Sequence, residues 1–251
     1  LWVTTAGTNQ GQGQSSGAGL LQGEWQADGS IFWQNGWTMA ANSKAQDTEL
    51  IGTDLYISST PTGLYKLDTL TGIVTRLNGG LHSYLDGMVL DGTTLVLGLM
   101  GSGGSAPGVQ LYDIQTGFGN GKLLGGLPSN GVNNFAATSD ILYIATNGGV
   151  GRWDYAAGDW INPLTTSDGL PTNVVEDVLV EGNSLWMATP AGLVEMNLTT
   201  NATTLYNSAS GLMGTSTMSL TTYSSSLLPS TLFIGHDGAG NERPAVTTID
   251  L

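Results

Sequence analysis

The chain contains no cysteine, six lysine and arginine residues, and two histidines in 251 residues. Without cysteine there is no disulfide, no thiolate metal site and no cysteine nucleophile. Six basic against twenty acidic side chains leave a net charge of −14. That excludes a nucleic-acid surface as the main business, because such surfaces are built from Lys and Arg. It equally disfavours docking on anionic lipid. Charged residues make up 10% of the chain, against about 25% in an average soluble domain. No apolar run approaches the ~18–20 residues that span a bilayer as a helix. The chain starts at Leu1 with no signal-peptide pattern, which reads as a segment of a longer precursor.

What the chain does have is glycine and an internal period. Glycine occupies 38 positions. Six segments share a Leu-aromatic-aliphatic core followed by small residues, starting at Leu1, Leu55, Leu95, Leu142, Leu185 and Leu232. Their starts lie 54, 40, 47, 43 and 47 residues apart. A period of this size, made only of short strands, predicts an all-β fold: a β-propeller with one blade per repeat. The clearest internal match needs no gap: Gly126-Leu127-Pro128-Ser129-Asn130 runs sixteen residues to Leu142, and Gly169-Leu170-Pro171-Thr172-Asn173 runs sixteen to Leu185. Weaker copies start at Gly80-Leu81 and Gly211-Leu212.

Each repeat parses into strands A to D. Strand A follows the Gly-Leu-Pro turn (174–180, 132–138, 88–90). Strand B is the Leu-aromatic-aliphatic segment. Strand C follows a glycine (63–67, 109–112, 150–153, 192–196), and strand D closes the unit (73–77, 160–164). β-Branched and aromatic residues between Gly, Asn and Asp support the strand assignment. The C–D turns begin with Asp68 and Asp154, whose carboxylates suit bonding to nearby backbone. The first unit lacks strand A and the last lacks strand D. The expectation is a single domain over residues 1–251, with about six four-stranded blades and incomplete termini. Room is left for a seventh blade outside the segment.

The run Asp168-Gly169-Leu170-Pro171-Thr172-Asn173-Val174-Val175-Glu176-Asp177, then Leu185-Trp186-Met187-Ala188-Thr189 and Ala191-Gly192-Leu193, resembles the two-component-regulator propeller repeat. That family repeat carries a Gly-Leu-Pro-x-Asn turn, an acidic inner strand and a Leu-Trp-Ile-Gly-Thr strand. The resemblance implies an extracytoplasmic sensor or surface-protein propeller. No kinase, receiver or membrane-spanning part accompanies it here.

Candidate ligand contacts are the polar residues near the Gly-Leu-Pro turns: Tyr84, Asp86, Asn130, Asn133, Asn134, Asn173, Glu176 and Asp177. Amides and carboxylates around a channel suit a sugar or a cation; equally, they solvate the channel or cap its turns. Three connections after strand B are long (6–19, 100–108 and 236–245), and long loops often carry function. Trp25, Trp33 and Trp37 fall outside the repeat consensus, and Trp37 is a candidate for stacking on a ligand or for core packing. Asp237, Asn241 and Glu242 form the one oxygen-rich loop that hints at calcium, without EF-hand spacing. No other cofactor is expected. His82 and His236 lack metal-ligand spacing. Asn197-Leu198-Thr199 and Asn201-Ala202-Thr203 are glycosylation sequons. No nucleophile elbow, P-loop or dinucleotide fingerprint appears.

The reading is an extracellular, cell-surface or periplasmic binding module without catalysis. Its partners are a glycan, peptide or protein on the loop face, and adjacent domains of the same chain, with no nucleic acid and no membrane insertion. Two alternatives stand: a carbohydrate hydrolase or lyase on a propeller, and a structural subunit of a surface layer or filament.

Overall fold

The computed structural model describes residues 2–5, 9–10, 14–15, 19–25, 31–38, 43–77, 80–81, 83–99, 108–123, 126–129, 131–225, 228–237 and 245–251. They fall into two compact units, Leu1–Leu123 and Leu124–Leu251. Asn130, Asn241, Glu242, His82 and most of the three long connections lie outside the described residues.

The first unit opens with β1 (Trp2–Thr5), the short hairpin β2 (Asn9–Gln10) and β3 (Gln14–Ser15), then β4 (Gly19–Trp25) and β5 (Ile31–Thr38). Strands β1, β4 and β5 form a three-stranded sheet. Next come β6 (Lys44–Ile51), β7 (Asp54–Thr60), β8 (Gly63–Asp68) and β9 (Val74–Leu77), a four-stranded meander. A second meander follows: β10 (Leu85–Asp91), β11 (Thr94–Leu99), β12 (Gly108–Asp113) and β13 (Phe118–Leu123).

The second unit repeats the plan. It holds β14 (Val132–Ala137), β15 (Ile141–Thr146), β16 (Gly149–Asp154) and β17 (Asp159–Leu164). Then come β18 (Asp177–Glu181), β19 (Ser184–Thr189), β20 (Gly192–Asn197) and β21 (Thr203–Tyr206). It ends on β22 (Thr217–Ser225), β23 (Leu228–His236) and β24 (Ala245–Asp250), a sheet of three strands. The fold is the all-β propeller class. Four of the six blade sheets among the described residues carry all four strands, and the first and last carry three. Among these residues the first sheet lacks its inner strand and the last its outer one, as the incomplete end units of the sequence predict, so the complete four-stranded blades number four.

Hydrophobic alternation explains why these sheets stack. The central strand of each full blade is buried on both faces, so it reads as a nearly continuous apolar run. Leu142, Ile144, Leu185 and Met187 are all buried. Val178, Leu185, Met187 and Val194 of one blade share a core with Ala145, Val150 and Leu164 of the preceding blade. Trp186 and Leu193, from the opposite face, pack against Leu232 and Ile234 of the next. Each such aliphatic side chain stabilises the fold by roughly 1.5–3 kcal/mol through burial.

The Gly-Leu turn is a locking device. Short 3₁₀ turns at Thr166–Asp168 and Ser208–Ser210 end on Gly169 (φ 100°) and Gly211 (φ 96°). This left-handed backbone favours glycine. It aims the following Leu170 and Leu212 into the two interblade cores. The C–D turns follow the predicted chemistry: Asp68 Oδ1 accepts the N–H groups of Leu70 and Thr71 at 2.9 and 3.0 Å, and Asp154 Oδ1 accepts that of Ala157 at 2.9 Å.

Candidate functional site

The polar residues picked from the sequence divide into those used by the fold and those left facing out. Asp177 belongs to the first group. It is buried, and both oxygens are engaged. Oδ1 accepts from Asn134 Nδ2 at 2.6 Å and from the Val178 N–H at 2.7 Å. Oδ2 accepts the Leu220 N–H at 2.6 Å. One carboxylate thereby ties three inner strands, β14, β18 and β22. Asn134 completes the link, its Oδ1 accepting the Phe135 N–H at 2.8 Å. Asn133 is also engaged, its Nδ2 donating to the Val175 carbonyl at 2.7 Å and to Asn147 Oδ1 at 3.1 Å.

The first unit uses the same device at a residue not singled out in the sequence. Asp47 on β6 accepts the Thr48 N–H at 2.7 Å and the Met88 N–H, from β10, at 2.8 Å. Burial pushes its carboxyl up to about 6, against the lowering effect of those two bonds. Glu49, two residues on, is pushed up to about 7 by burial and then by the Asp47 charge. Ser58 donates to the backbone carbonyl of Asp86, and Tyr84 sits half-buried just ahead of β10. Trp37 packs on the core of Leu20, Leu55, Ile57 and Tyr65, in the core-packing role of its two sequence readings.

Asn173 and Glu176 are the candidates that stay accessible in the second unit. Asn173 is exposed, and its Oδ1 accepts the Thr166 N–H at 2.9 Å, fixing the turn ahead of the inner strand. Glu176 is half-buried, and its carboxyl is raised by burial and then by the Asp237 carboxylate. Asp237 is exposed and directly follows β23. Two residues chosen separately in the sequence, one as a liner and one as a calcium candidate, are therefore electrostatic neighbours. Among the described residues no three His, Cys, Asp or Glu side chains gather as a metal would need. The neighbouring His236 is buried, with Nε2 2.8 Å from Thr247 Oγ1.

The sequon asparagines occupy the turn between β20 and β21. Asn197 Oδ1 accepts the N–H groups of Thr199 and Thr200 at 3.0 and 2.9 Å. Asn201 is exposed, with φ 58°.

At the same end of the blade, beside the β18–β19 connection whose Asn183 carbonyl accepts the Leu198 N–H at 2.8 Å, lies a cavity that the sequence did not announce. Its volume is about 430 Å³, and its walls include Glu181, Ser184, Trp186, Glu195 and Ser230. The one available signal was cross-strand register: Trp186 pairs with Glu195 and Glu181 with Ser184, which puts each pair on one face.

No family model matches the chain, and no curated protein matches it in sequence. Solved structures do. The extracellular domain of BT4673, assigned as a one-component system of B. thetaiotaomicron, superposes with a TM-score of 0.65 at 16% identity, covering 99% of this chain and 32% of that one. The extracellular domain of BT3049, assigned as a hybrid two-component system of B. thetaiotaomicron, gives 0.63 at 15% identity, covering 93% and 30%. Sqt1 of Saccharomyces cerevisiae gives 0.59 at 10% identity, covering 94% and 68%. The chain thus spans about a third of the two bacterial extracellular domains. At these identities the likeness shows a shared propeller fold.

Proposed function

We propose that this chain is an extracytoplasmic propeller module that binds a polar ligand at the Glu176–Asp237 end of its blades, without catalysis. The carrying observation is the division of polar groups just described. Asp177, Asn134 and Asn133 are consumed by interstrand bonds, while the carboxyl of Glu176, half-buried, is raised by burial and then by the charge of the exposed Asp237, and Asn173 remains exposed. Side chains that bridge no inner strands, Asn173 bonding only within its own turn, are the ones available to a ligand. Their charge suits a neutral or cationic partner, such as a glycan or a peptide, better than an anion.

Several further features support the reading. The repeat resembles the two-component-regulator propeller, and two of the structural neighbours are extracellular domains assigned to sensor systems. Those neighbours are about three times as long, in keeping with a role inside a larger protein. One observation favours a hydrolase as the second reading: a raised carboxyl beside a second carboxylate is also the pattern of an acid–base pair. Glycan and peptide arrays probed with the chain test both. Retained, uncleaved ligand supports the binding module, and mass-spectrometric detection of cleaved ligand overturns the non-catalytic assignment.

A further inference from the structure

Strand β24 is an edge without the devices that protect edges. Among the described residues it pairs only with β23, in an unbroken register from Ala245 to Asp250. The equivalent strands of the four complete blades, β8, β12, β16 and β20, are paired on both sides. Leu251 donates its N–H to the Ser230 carbonyl at 2.8 Å. Antiparallel alternation therefore turns the N–H and C=O groups of Val246, Thr248 and Asp250 away from β23. Proteins blunt lasting edges with charges, prolines or very short strands. The outer strands of complete blades follow that rule: β9 carries Arg76, β17 carries Pro163, and β21 is four residues long. The edge of β24 runs Ala-Val-Thr-Thr-Ile-Asp, with no Lys, Arg, Pro, Gly or bulge.

Val246 supplies a second, independent feature. It pairs with Gly235 of β23, as Leu64, Val150 and Leu193 pair with Ser58, Ala145 and Ala188 in their own blades. Those three side chains are fully buried, whereas Val246 is 59% exposed. In each of the three blades the fourth strand sets a large apolar residue directly opposite: Leu77 against Leu64, Leu164 against Val150 and Tyr206 against Leu193. No strand among the described residues fills that place beside Val246.

We infer that the open edge of β24 is a docking site for an extended segment of a partner polypeptide, which adds as a fourth strand antiparallel to β24. Main-chain bonds to Val246, Thr248 and Asp250 supply the affinity. Selectivity comes from one position, an aliphatic or aromatic side chain opposite Val246, as in the three complete blades. A second copy of β24 does not meet that requirement. Directly opposed residues of an antiparallel pair share a face, so a second β24 could set only Val246, Thr248 or Asp250 against Val246. The first choice aligns only Ala245–Thr247 with its own copy, and the other two put a polar side chain there. The docking edge does not depend on the ligand reading of the Glu176–Asp237 end.

The probe is the fourth-strand sequence of the preceding blade, a fluorescent synthetic peptide of residues 202–207, Ala-Thr-Thr-Leu-Tyr-Asn. Anisotropy follows its titration with the chain, and NMR reads hydrogen exchange of the backbone amides. Binding is expected to saturate, and the amides of Val246, Thr248 and Asp250 to exchange at least tenfold more slowly with peptide bound. The peptide carrying Tyr206→Ser should bind at least tenfold more weakly. In the chain, Thr248→Pro removes an outward N–H without touching the β23 ladder, and Val246→Lys places a charge at the exposed position. Each should weaken binding by tenfold or more, and Val246→Lys, which leaves the backbone unchanged, should keep the parent's melting temperature. No saturable binding, equal binding of the Tyr206→Ser peptide, or binding unchanged in Val246→Lys would each overturn the assignment. So would slow exchange of the three amides without peptide: in a chain that sediments as a dimer a second copy holds the edge, and in a monomer one of its own segments does.

Discussion

Asp47 and Asp177 perform the same task in different blades. Each accepts the N–H of the residue that follows it through Oδ1, and reaches across to the next inner strand through Oδ2: to Met88 at 2.8 Å and to Leu220 at 2.6 Å. The inner strands of successive blades are splayed strands of separate sheets, so no backbone ladder joins them. A short acidic side chain substitutes for the missing ladder bond. Charge-assisted bonds from backbone N–H are among the stronger kinds.

Asp177→Ala should therefore be costly. It removes the acceptor for Asn134 Nδ2 and for two backbone N–H groups at a buried position. The expected loss is about 3 kcal/mol, since each stranded donor costs roughly 1–3 kcal/mol and water recovers part of it. Urea unfolding of the variant checks this. A loss under about 0.5 kcal/mol, the floor for one ordinary hydrogen bond, would remove the bridging role.

The raised carboxyls of Asp47 and Glu49 make the stability of the first unit pH-dependent. In the folded chain they take up protons at about 6 and about 7, above the unfolded values of 3.8 and 4.5. The folded state thus binds more protons than the unfolded one between about pH 4 and 7. Their contribution is fully present below about pH 4 and is lost as pH rises through 7. The melting temperature should fall from pH 5 to pH 8. Glu49→Gln should flatten that slope, because it removes one titration without touching the Asp47 bonds. A Glu49→Gln profile that parallels the parent would contradict the assignment.

Leu185 is fully buried in the core between two blades of the second unit. Leu185→Ala should cost about 2–5 kcal/mol through the cavity it leaves. Thermal denaturation with calorimetry gives the number, and a shift within experimental error would mean that the strand does not sit between sheets.

Gly192 and Gly182 both have positive φ, 132° and 58°, and differ in surroundings. A Cβ on Gly192 would lie 2.5 Å from the Tyr206 carbonyl oxygen, whereas one on Gly182 meets nothing within 4 Å. Gly182→Ala should cost about 1 kcal/mol from backbone strain alone. Gly192→Ala should cost at least another ~1 kcal/mol, because β20 and β21 must separate to admit the methyl. Equal losses would show that backbone conformation alone sets the requirement for glycine.

Strands and turns were largely legible in the sequence, because they depend on local chemistry. The Leu-aromatic-aliphatic runs became the doubly covered strands β7, β11, β15 and β19, and β23, which is buried on one face. The residues after each Gly-Leu turn became inner strands, and Asp68 and Asp154 became turn anchors. The site was legible only in part. Whether Asp177 solvates a channel or bridges strands depends on Asn134 and Leu220, each 43 residues away in sequence. Asp47 gave no signal at all, since Gln46-Asp47-Thr48-Glu49 lies outside the Gly-Leu-Pro consensus. Trp186 was read as a core consensus residue, and its burial agrees. That its indole N–H would find no acceptor among the described residues is set by how two blades pack, which no periodicity encodes.

Affinity for an array-selected glycan or peptide, compared between the parent chain and the Asn173→Ala/Glu176→Gln double variant, tests the central claim most directly. Neither side chain holds the inner strands together, so the melting temperature of the double variant should stay within about 2–4 °C of the parent, the shift that 1 kcal/mol gives in a chain of this size. Binding should fall below detection. Full binding by the double variant, or binding that maps to the Asn197 turn instead, would contradict the assignment of ligand recognition to the Glu176–Asp237 end.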